Sequence, residues 1–309
     1  MSQNIPSRGA AQVSLLRTQL QQAEQALRAR NFAGAAATCR SVLAMDRRNA
    51  AALQMLGVAL AQSGDRDGAE VAFQQFLQIN PGHAAVQTNL GNLRLLKGDT
   101  SGAETCYRAA IARTPNYAEA HFNLGLALKA QDKLEGARDA LVAALANRPN
   151  YLDAQVQLGV VQSSLGQYAD AVMSFDKALA GGTEHFEALY NRGLALVQLG
   201  RLDDAKQSLA RAAALDENNY KSFLALGQTL HRLQELTLAT SALARAAVLK
   251  PDSGEVHASL AAVFLDDGWT MAALDEIGKA LALDANSTFS HIINGRILAE
   301  LGRVEESLA

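Results

Sequence analysis

The chain has 309 residues, of which 49% are hydrophobic, and 28 Lys and Arg against 31 Asp and Glu give it a net charge of −3. This balance argues against a nucleic-acid-binding surface, which needs a concentrated basic stripe. No apolar stretch is long enough to span a membrane and no secretory signal is apparent, so we expect a cytoplasmic protein that does not enter membranes. The two cysteines, Cys39 and Cys106, are too few for a disulfide framework.

A period of 34 residues organises almost the whole chain. We expect residues 1–15, with Pro6, Ser7 and Gly9, to form a flexible leader. Beyond it, glycine recurs at this interval from Gly57 to Gly227 and again at Gly295. With the recurring glycine as position 8, the complete repeats are residues 16–49, 50–83, 84–117, 118–151, 152–185, 186–219, 220–253 and 254–287, and a partial ninth repeat covers 288–309.

Each repeat carries the signals of two helices joined by a turn. Position 8 is small, and position 20 is Ala in every complete repeat, so two helices can approach closely there. Glycine at position 15, as in Gly64 and Gly98, ends the first helix because it adopts a left-handed conformation readily. Proline at position 32, as in Pro81, ends the second helix. We therefore predict helix A near positions 1–14 and helix B near positions 18–31.

Leu-Gly at positions 7 and 8, Ala at 20, an aromatic residue at 24 and Pro at 32 together resemble the tetratricopeptide repeat family. Phe73, Tyr107 and Phe175 supply the aromatic residue. The resemblance implies an all-α fold: an α-solenoid of about eight complete helix-turn-helix repeats and a truncated ninth. In the family, these wind into a right-handed superhelix whose concave groove is lined by helix A. The array is also similar to the repeat domains of O-linked N-acetylglucosamine transferases.

The sequence contains no recognisable constellation of catalytic or metal-binding residues. The six histidines are scattered, and no two of them have metal-ligand spacing. There is also no phosphate-binding loop, no nucleophile-elbow motif and no Cys-x-x-Cys motif. We therefore expect no catalytic residue, no metal and no cofactor within residues 1–309.

Position 6 carries an amide side chain in four successive repeats. An amide has both a hydrogen-bond donor and an acceptor, so a row of amides can pair with the backbone of an extended peptide. This row resembles the asparagine ladder of the O-linked N-acetylglucosamine transferases; its alternative role is support of local helix packing. The row consists of Asn89, Asn123, Gln157 and Asn191, and Asn92 at position 9 lies beside it.

Positions 5 and 9 carry apolar residues that we expect to line the groove as an apolar strip. A patch of this extent usually marks a partner site, and an amphipathic helix is one ligand that such a groove accepts. The alternative is that neighbouring A helices partly bury these side chains. The apolar strip consists of Phe122, Leu126, Val156, Val160, Tyr190, Leu194 and Leu224.

Charged residues of helix A suggest further ligand contacts. Repeat 220–253 differs from the others because Lys221, Gln228, His231 and Arg232 fall on its concave side, where they suggest a contact with an anion or carboxylate. Position 2 is acidic in several repeats, which indicates either an acidic rim that favours a basic ligand or a complement to the helix dipole. These acidic residues are Glu119, Asp153, Glu187 and Glu255.

Together, these features predict a non-catalytic module whose groove binds a peptide or an amphipathic helix of a protein partner. The resemblance suggests that it recognises the substrate of a larger bacterial protein-modifying enzyme, such as a glycosyltransferase acting on flagellin. A scaffold for a secretion, pilus or envelope complex is the alternative. The ninth repeat lacks a polar capping helix, so we expect either a longer protein with a catalytic domain beyond Ala309 or self-association through this end.

Overall fold

The computed structural model describes residues 8–303, and within this range the chain forms 17 α-helices and no β-strand. The helices are α1 Arg8–Arg28, α2 Phe32–Met45, α3 Ala50–Ser63, α4 Arg66–Ile79, α5 Ala84–Leu96, α6 Thr100–Arg113, α7 Ala118–Ala130, α8 Leu134–Asn147, α9 Leu152–Ser164, α10 Tyr168–Ala178, α11 Phe186–Gln198, α12 Leu202–Leu215, α13 Tyr220–Arg232, α14 Leu236–Leu249, α15 Gly254–Asp266, α16 Thr270–Leu283 and α17 Thr288–Glu300. The predicted all-α solenoid is confirmed.

From α3 to α16, odd-numbered helices begin at position 1 of a repeat and even-numbered helices begin at position 17. Local signals explain these boundaries. The side chains of Asn49 and Asp65 accept hydrogen bonds from the backbone N–H groups of Ala52 and Gly68, at 3.0 and 2.9 Å, and thereby cap α3 and α4. Gly64 ends α3 with a φ of 90°, a conformation that costs glycine little.

The chain differs from the expected boundaries at two places. Residues 8–15, which we assigned to a flexible leader, form the start of α1, while residues 1–7 of that leader lie outside the described residues. Helix α10 ends at position 27 of its repeat, whereas the other even-numbered helices from α4 to α16 end at position 30. A turn of 3₁₀ helix, Ala180–Gly182, follows it, because Gly181 has a positive φ at position 30, where the other repeats are still helical, and Gly182 after it also has a positive φ.

The recurring glycine lets the two helices of a repeat touch. A Cβ atom added to Gly91 would lie 2.6 Å from Cε1 of Tyr107, and one added to Gly125 would lie 2.7 Å from Cγ of Leu141. Both distances are shorter than real side chains allow. Positions 8 and 24 are therefore a complementary pair, with glycine on helix A facing a large side chain on helix B.

The helices divide into two compact units, one reaching Ala154 and the other beginning at Gln155. In the first unit, Leu53 and Phe73 are buried in one hydrophobic cluster. In the second unit, Leu243 and Leu260 belong to one cluster and Ile277 to another. Each unit thus has a core between helices that are neighbours in sequence, as expected for a repeat array.

Candidate functional site

The odd-numbered helices present the surface on which the predicted groove residues lie. Neighbouring odd-numbered helices contact each other within each unit, as α5 does with α7 and α13 with α15. We call their shared surface the A-helix face. Side chains at positions 6, 9, 12 and 13 line its cavities.

The first unit has a cavity of about 430 Å³ on the A-helix face of α3 and α5. Asn89 and Asn92, two of the predicted site residues, line it, together with Val58, Gln62 and Leu96. Asn92 also has an internal role, since its Oδ1 accepts a hydrogen bond of 2.7 Å from the hydroxyl of Tyr107. Asn89 and Gln62 are therefore the amides in this cavity that remain available to a ligand.

The amide row does not behave uniformly. Asn89 and Asn123 are half-buried, and neither side chain has a hydrogen bond to another part of the described chain. In the second unit, Gln157 donates a hydrogen bond of 3.1 Å to Oε1 of Glu187, and Asn191 donates one of 2.8 Å to the backbone oxygen of Glu187. The second unit therefore uses its two amides to support its own helices, as the packing alternative for this row requires.

The prediction that position 5 opens onto the groove is wrong for two residues of the apolar strip. Val156 is 1% exposed and Leu224 is 6% exposed. Leu224 packs in a cluster with Val256 and Leu260, which belong to the next A helix. Leu224 therefore packs toward the following repeat, and the burial of both side chains keeps a partner from reaching them.

The other members of the apolar strip are half-buried. The ring of Phe122 lies 4.9 Å from that of Tyr151, and the ring of Tyr190 stacks on that of Phe186 at 6.0 Å, both measured between centroids. These aromatic pairs cover part of each ring. Position 9 stays partly accessible in every repeat where it was predicted to line the groove. The half-buried residues at this position are Leu126, Val160 and Leu194, with Gln228 beside them.

The second unit has its own cavity, of about 330 Å³, on the A-helix face of α11, α13, α15 and α17. Leu194 and Val197 form apolar walls on one side, and Phe289 lines it from α17. Gln228 contributes an amide that donates a hydrogen bond of 3.1 Å to Oγ of Ser259. The structure thus brings together two predicted residues, Leu194 and Gln228, around one concave site.

Charged side chains border this second cavity. Nε2 of His231 lies 2.7 Å from Oδ2 of Asp266, and Arg296 donates a hydrogen bond of 2.7 Å to Oδ1 of the same carboxylate. Burial acts to raise the pKa of Asp266, but the hydrogen bonds from His231 and Arg296 outweigh it and lower that pKa. Arg232, by contrast, is exposed and has no ion pair or hydrogen bond with another described residue.

Two exposed aromatic residues are not among the site residues predicted from the sequence. Phe289, in the partial repeat, is 45% exposed. Trp269 is 63% exposed and stands at position 16, where the other seven complete repeats have a polar or charged residue. Alignment of the repeats by position identifies Trp269 from the sequence, because it is the only apolar residue at position 16 of the complete repeats. No such comparison identifies Phe289, because its exposure depends on what packs against α17.

Other side-chain groups have structural roles. Within residues 8–303, no group of three or more His, Cys, Asp and Glu side chains is placed to hold a metal ion. His257 is buried between Oε2 of Glu276, at 2.6 Å from Nδ1, and the backbone oxygen of Pro251, at 2.9 Å from Nε2. Burial raises the pKa of the Cys39 thiol to about 11 and also raises that of Cys106. None of the helices in this part of the chain is long and apolar enough to cross a membrane.

Comparison with solved structures finds the same fold. YrrB, a TPR protein with an unusual peptide-binding site, is 24% identical with a TM-score of 0.55, covering 60% of this chain and 95% of that one. MamA is 28% identical with a TM-score of 0.50, covering 52% and 95%. PilW, a widely conserved type IV pilus biogenesis factor, is 22% identical with a TM-score of 0.58, covering 65% and 93%.

Comparison with protein families agrees with the repeat pattern. No curated protein matches the sequence significantly. Two family models described as tetratricopeptide repeat match residues 26–93 in one case and residues 156–220 and 190–256 in the other. A third, described as TPR repeat, matches residues 91–132. The spacing of glycine, alanine and proline, the helix pairs that it produces and these matches lead to one conclusion: the chain belongs to the tetratricopeptide repeat family.

Proposed function

We propose that the A-helix face binds a peptide or an amphipathic helix of a protein partner, and that the chain acts as a non-catalytic recognition module. The main support is that each unit has a cavity on this same face. Both cavities combine apolar walls with a polar group that has no partner within the described chain, Asn89 in the first and Arg232 in the second. Ligand sites typically combine apolar walls with a few polar groups that orient the ligand.

The two units suit different backbone conformations of a ligand. In the first unit, the free amides of Asn89 and Asn123 can each accept and donate a hydrogen bond, as the backbone of an extended segment requires. In the second unit, Leu194, Val197 and Phe289 offer apolar contact instead, which suits one face of a helix. The likeness to YrrB supports peptide binding as the general function.

The partner that we propose is the substrate of a larger bacterial protein-modifying enzyme, such as a glycosyltransferase that modifies flagellin in the cytoplasm. The support is the likeness of the repeat array to the recognition domains of such enzymes. Flagellin has amphipathic helices, which suit the apolar walls of the second unit. A catalytic domain carried elsewhere in the same protein would act on the bound segment.

The second candidate is a scaffold in a secretion, pilus or envelope assembly, with self-association of the chain. The likeness to PilW favours it. Light scattering over a range of protein concentrations separates the two candidates, because a scaffold that self-associates gains mass with concentration. A constant monomeric mass would favour the recognition module.

Selection of random peptides displayed on phage against the whole chain tests the proposed function. We expect Asn89→Ala with Asn123→Ala to weaken peptides bound by the first unit, and Leu194→Ser with Val197→Ser to weaken those bound by the second. Asn147→Ala and Leu215→Ser are matched controls, since both residues are exposed on B helices. Selected peptides whose affinities survive both double substitutions would refute binding on the A-helix face.

A further inference from the structure

The second cavity has an unbalanced positive charge at one border. Arg232 lines it and is exposed, and no described carboxylate pairs with it. Its neighbour His231 cannot play the same part, because it faces Asp266, which also binds Arg296. Asp266 is thus already shared by two other basic side chains, and Glu235, three residues after Arg232, pairs with Lys206.

The opposite border of the same face carries Glu255 and, at the same position of the preceding A helix, Lys221. Glu255 lies at position 2 of α15, in the first turn, whereas Arg232 lies at position 13 of α13, in the last turn. The rise of a helix separates these two positions by about 16 Å along the helix axes. Between the borders, Gln228 donates a hydrogen bond of 3.4 Å to Oε1 of Glu255. The cavity floor between Arg232 and Glu255 is largely apolar.

We infer that this cavity selects an amphipathic segment of a protein partner. An acidic residue that pairs with Arg232 borders the apolar face of this segment along one edge only. This inference rests on the proposed function and specifies the chemistry of its ligand. Leu194, Val197 and Phe289 contact the apolar side chains. The carboxylate of the ligand neutralises the guanidinium group, which is well suited to bind carboxylates in a bidentate manner.

Arg232, and not the opposite border, sets the charge that the ligand carries. The opposite border combines the carboxylate of Glu255 with the ammonium group of Lys221, so it has no excess of either charge. Charge complementarity of this kind contributes more to specificity and orientation than to affinity.

The test compares peptide selections on three forms of the whole chain: the wild type, Arg232→Glu and the control Arg40→Glu. Arg40 is exposed on the helix-B side of the first unit and has no ion pair among the described residues. We expect the wild type and Arg40→Glu to enrich peptides with Asp or Glu next to apolar residues, and Arg232→Glu to enrich Lys or Arg there instead. A synthetic peptide from the wild-type selection should bind Arg232→Glu about tenfold more weakly, a change typical of losing one charged contact.

The inference and the proposed function fail in different ways. If Arg232→Glu enriches the same acidic peptides as the wild type, while Leu194→Ser with Val197→Ser abolishes their binding, the ligand chemistry inferred here is wrong and the function stands. The function fails, and the inference with it, if no peptide is enriched. It also fails if the enriched peptides bind equally well after Asn89→Ala with Asn123→Ala, after Leu194→Ser with Val197→Ser, and after Arg232→Glu. A switch in the enriched charge that accompanies Arg232→Glu alone supports both.

Discussion

The hydroxyl group of Tyr107 donates a hydrogen bond of 2.7 Å to Oδ1 of Asn92 and so connects the buried side of α6 with the A-helix face of α5. Tyr107 is fully buried, and burial raises the pKa of its phenol, so the group remains a donor over the physiological pH range. Asn92 was predicted to bind a partner, but it also holds this ring against Gly91. A residue that lines a cavity on the A-helix face, such as Asn92, can therefore also hold a buried side chain in place.

We expect Tyr107→Phe to lower the free energy of unfolding by about 1 kcal/mol, because the ring is kept while the hydrogen bond to Asn92 is lost. Urea unfolding followed by circular dichroism measures the change. Tyr168→Phe is the matched control, since Tyr168 is half-buried and its hydroxyl has no hydrogen bond among the described residues. Equal effects of the two substitutions would contradict the role assigned to Asn92.

Alanine substitutions at two helical glycines should have opposite effects. At Gly91, the new Cβ would lie 2.6 Å from Cε1 of Tyr107, so we expect Gly91→Ala to destabilise the protein by about 1–3 kcal/mol through overpacking. At Gly278, no atom outside its own stretch of helix backbone lies within 4 Å of the new Cβ. Gly278→Ala in α16 should therefore stabilise the protein by about 0.5–1 kcal/mol, because alanine loses less backbone entropy in a helix.

The urea midpoints of the two variants measure this contrast. They should move in opposite directions from that of the wild type. If Gly91→Ala left the midpoint unchanged, helix A and helix B would not be as close at position 8 as the structure places them.

Stability should depend on pH through Asp266. Its pKa is lowered in the folded protein despite partial burial, because His231 and Arg296 donate hydrogen bonds to it. A group with a lowered folded-state pKa stabilises the protein above its unfolded-state pKa of about 4, and this contribution is lost as the pH falls through the folded-state value. We therefore expect Asp266→Asn to flatten the loss of stability between about pH 5 and pH 2.

Urea midpoints of the wild type and Asp266→Asn across this pH range test the prediction. Asp267→Asn is the control, because Asp267 is the next residue, is exposed and has no ion pair among the described residues. The hydrogen bonds to Asp266 would be unimportant for stability if the wild type and Asp266→Asn lost stability in parallel as the pH falls.

The two thiols should react slowly in the folded protein. Burial raises the pKa of Cys39 to about 11 and also raises that of Cys106, and the thiolate is the reactive form of cysteine. We expect dithionitrobenzoate at about pH 8 to modify neither residue quickly until urea unfolds the chain. Ser101→Cys adds an exposed thiol as a positive control. Rapid modification of two thiols in the native wild type would contradict the burial of these helices.

Much of the fold could be predicted from the sequence because its signals are local and repeated. Asp65 caps α4 and Gly64 ends α3 through contacts with residues a few positions away, and the same choices recur in successive repeats. The shortened helix α10 was not predicted. Its repeat keeps Ala at position 20 but has Gly181 and Gly182 near its end, a pair that occurs in no other repeat.

The candidate site could be predicted only in part. The repeat register placed Asn89, Leu194 and Gln228 on the A-helix face, where the two cavities lie. It could not distinguish Leu194 at position 9, which remains half-open, from Val156 and Leu224 at position 5, which are buried. Both positions share one side of a helix, and only the next repeat decides which of them it covers.

The repeat length, the ends of most helices and the close approach of two helices at the small residues of positions 8 and 20 follow from the sequence alone. These properties depend on neighbours within one repeat. The sharing of Asp266 by His231 and Arg296, and the lack of a partner for Arg232 among the described residues, follow from the folded arrangement of the repeats. The physical reason is that burial and charge pairing depend on side chains brought together from separate repeats, and a single repeat carries no record of them.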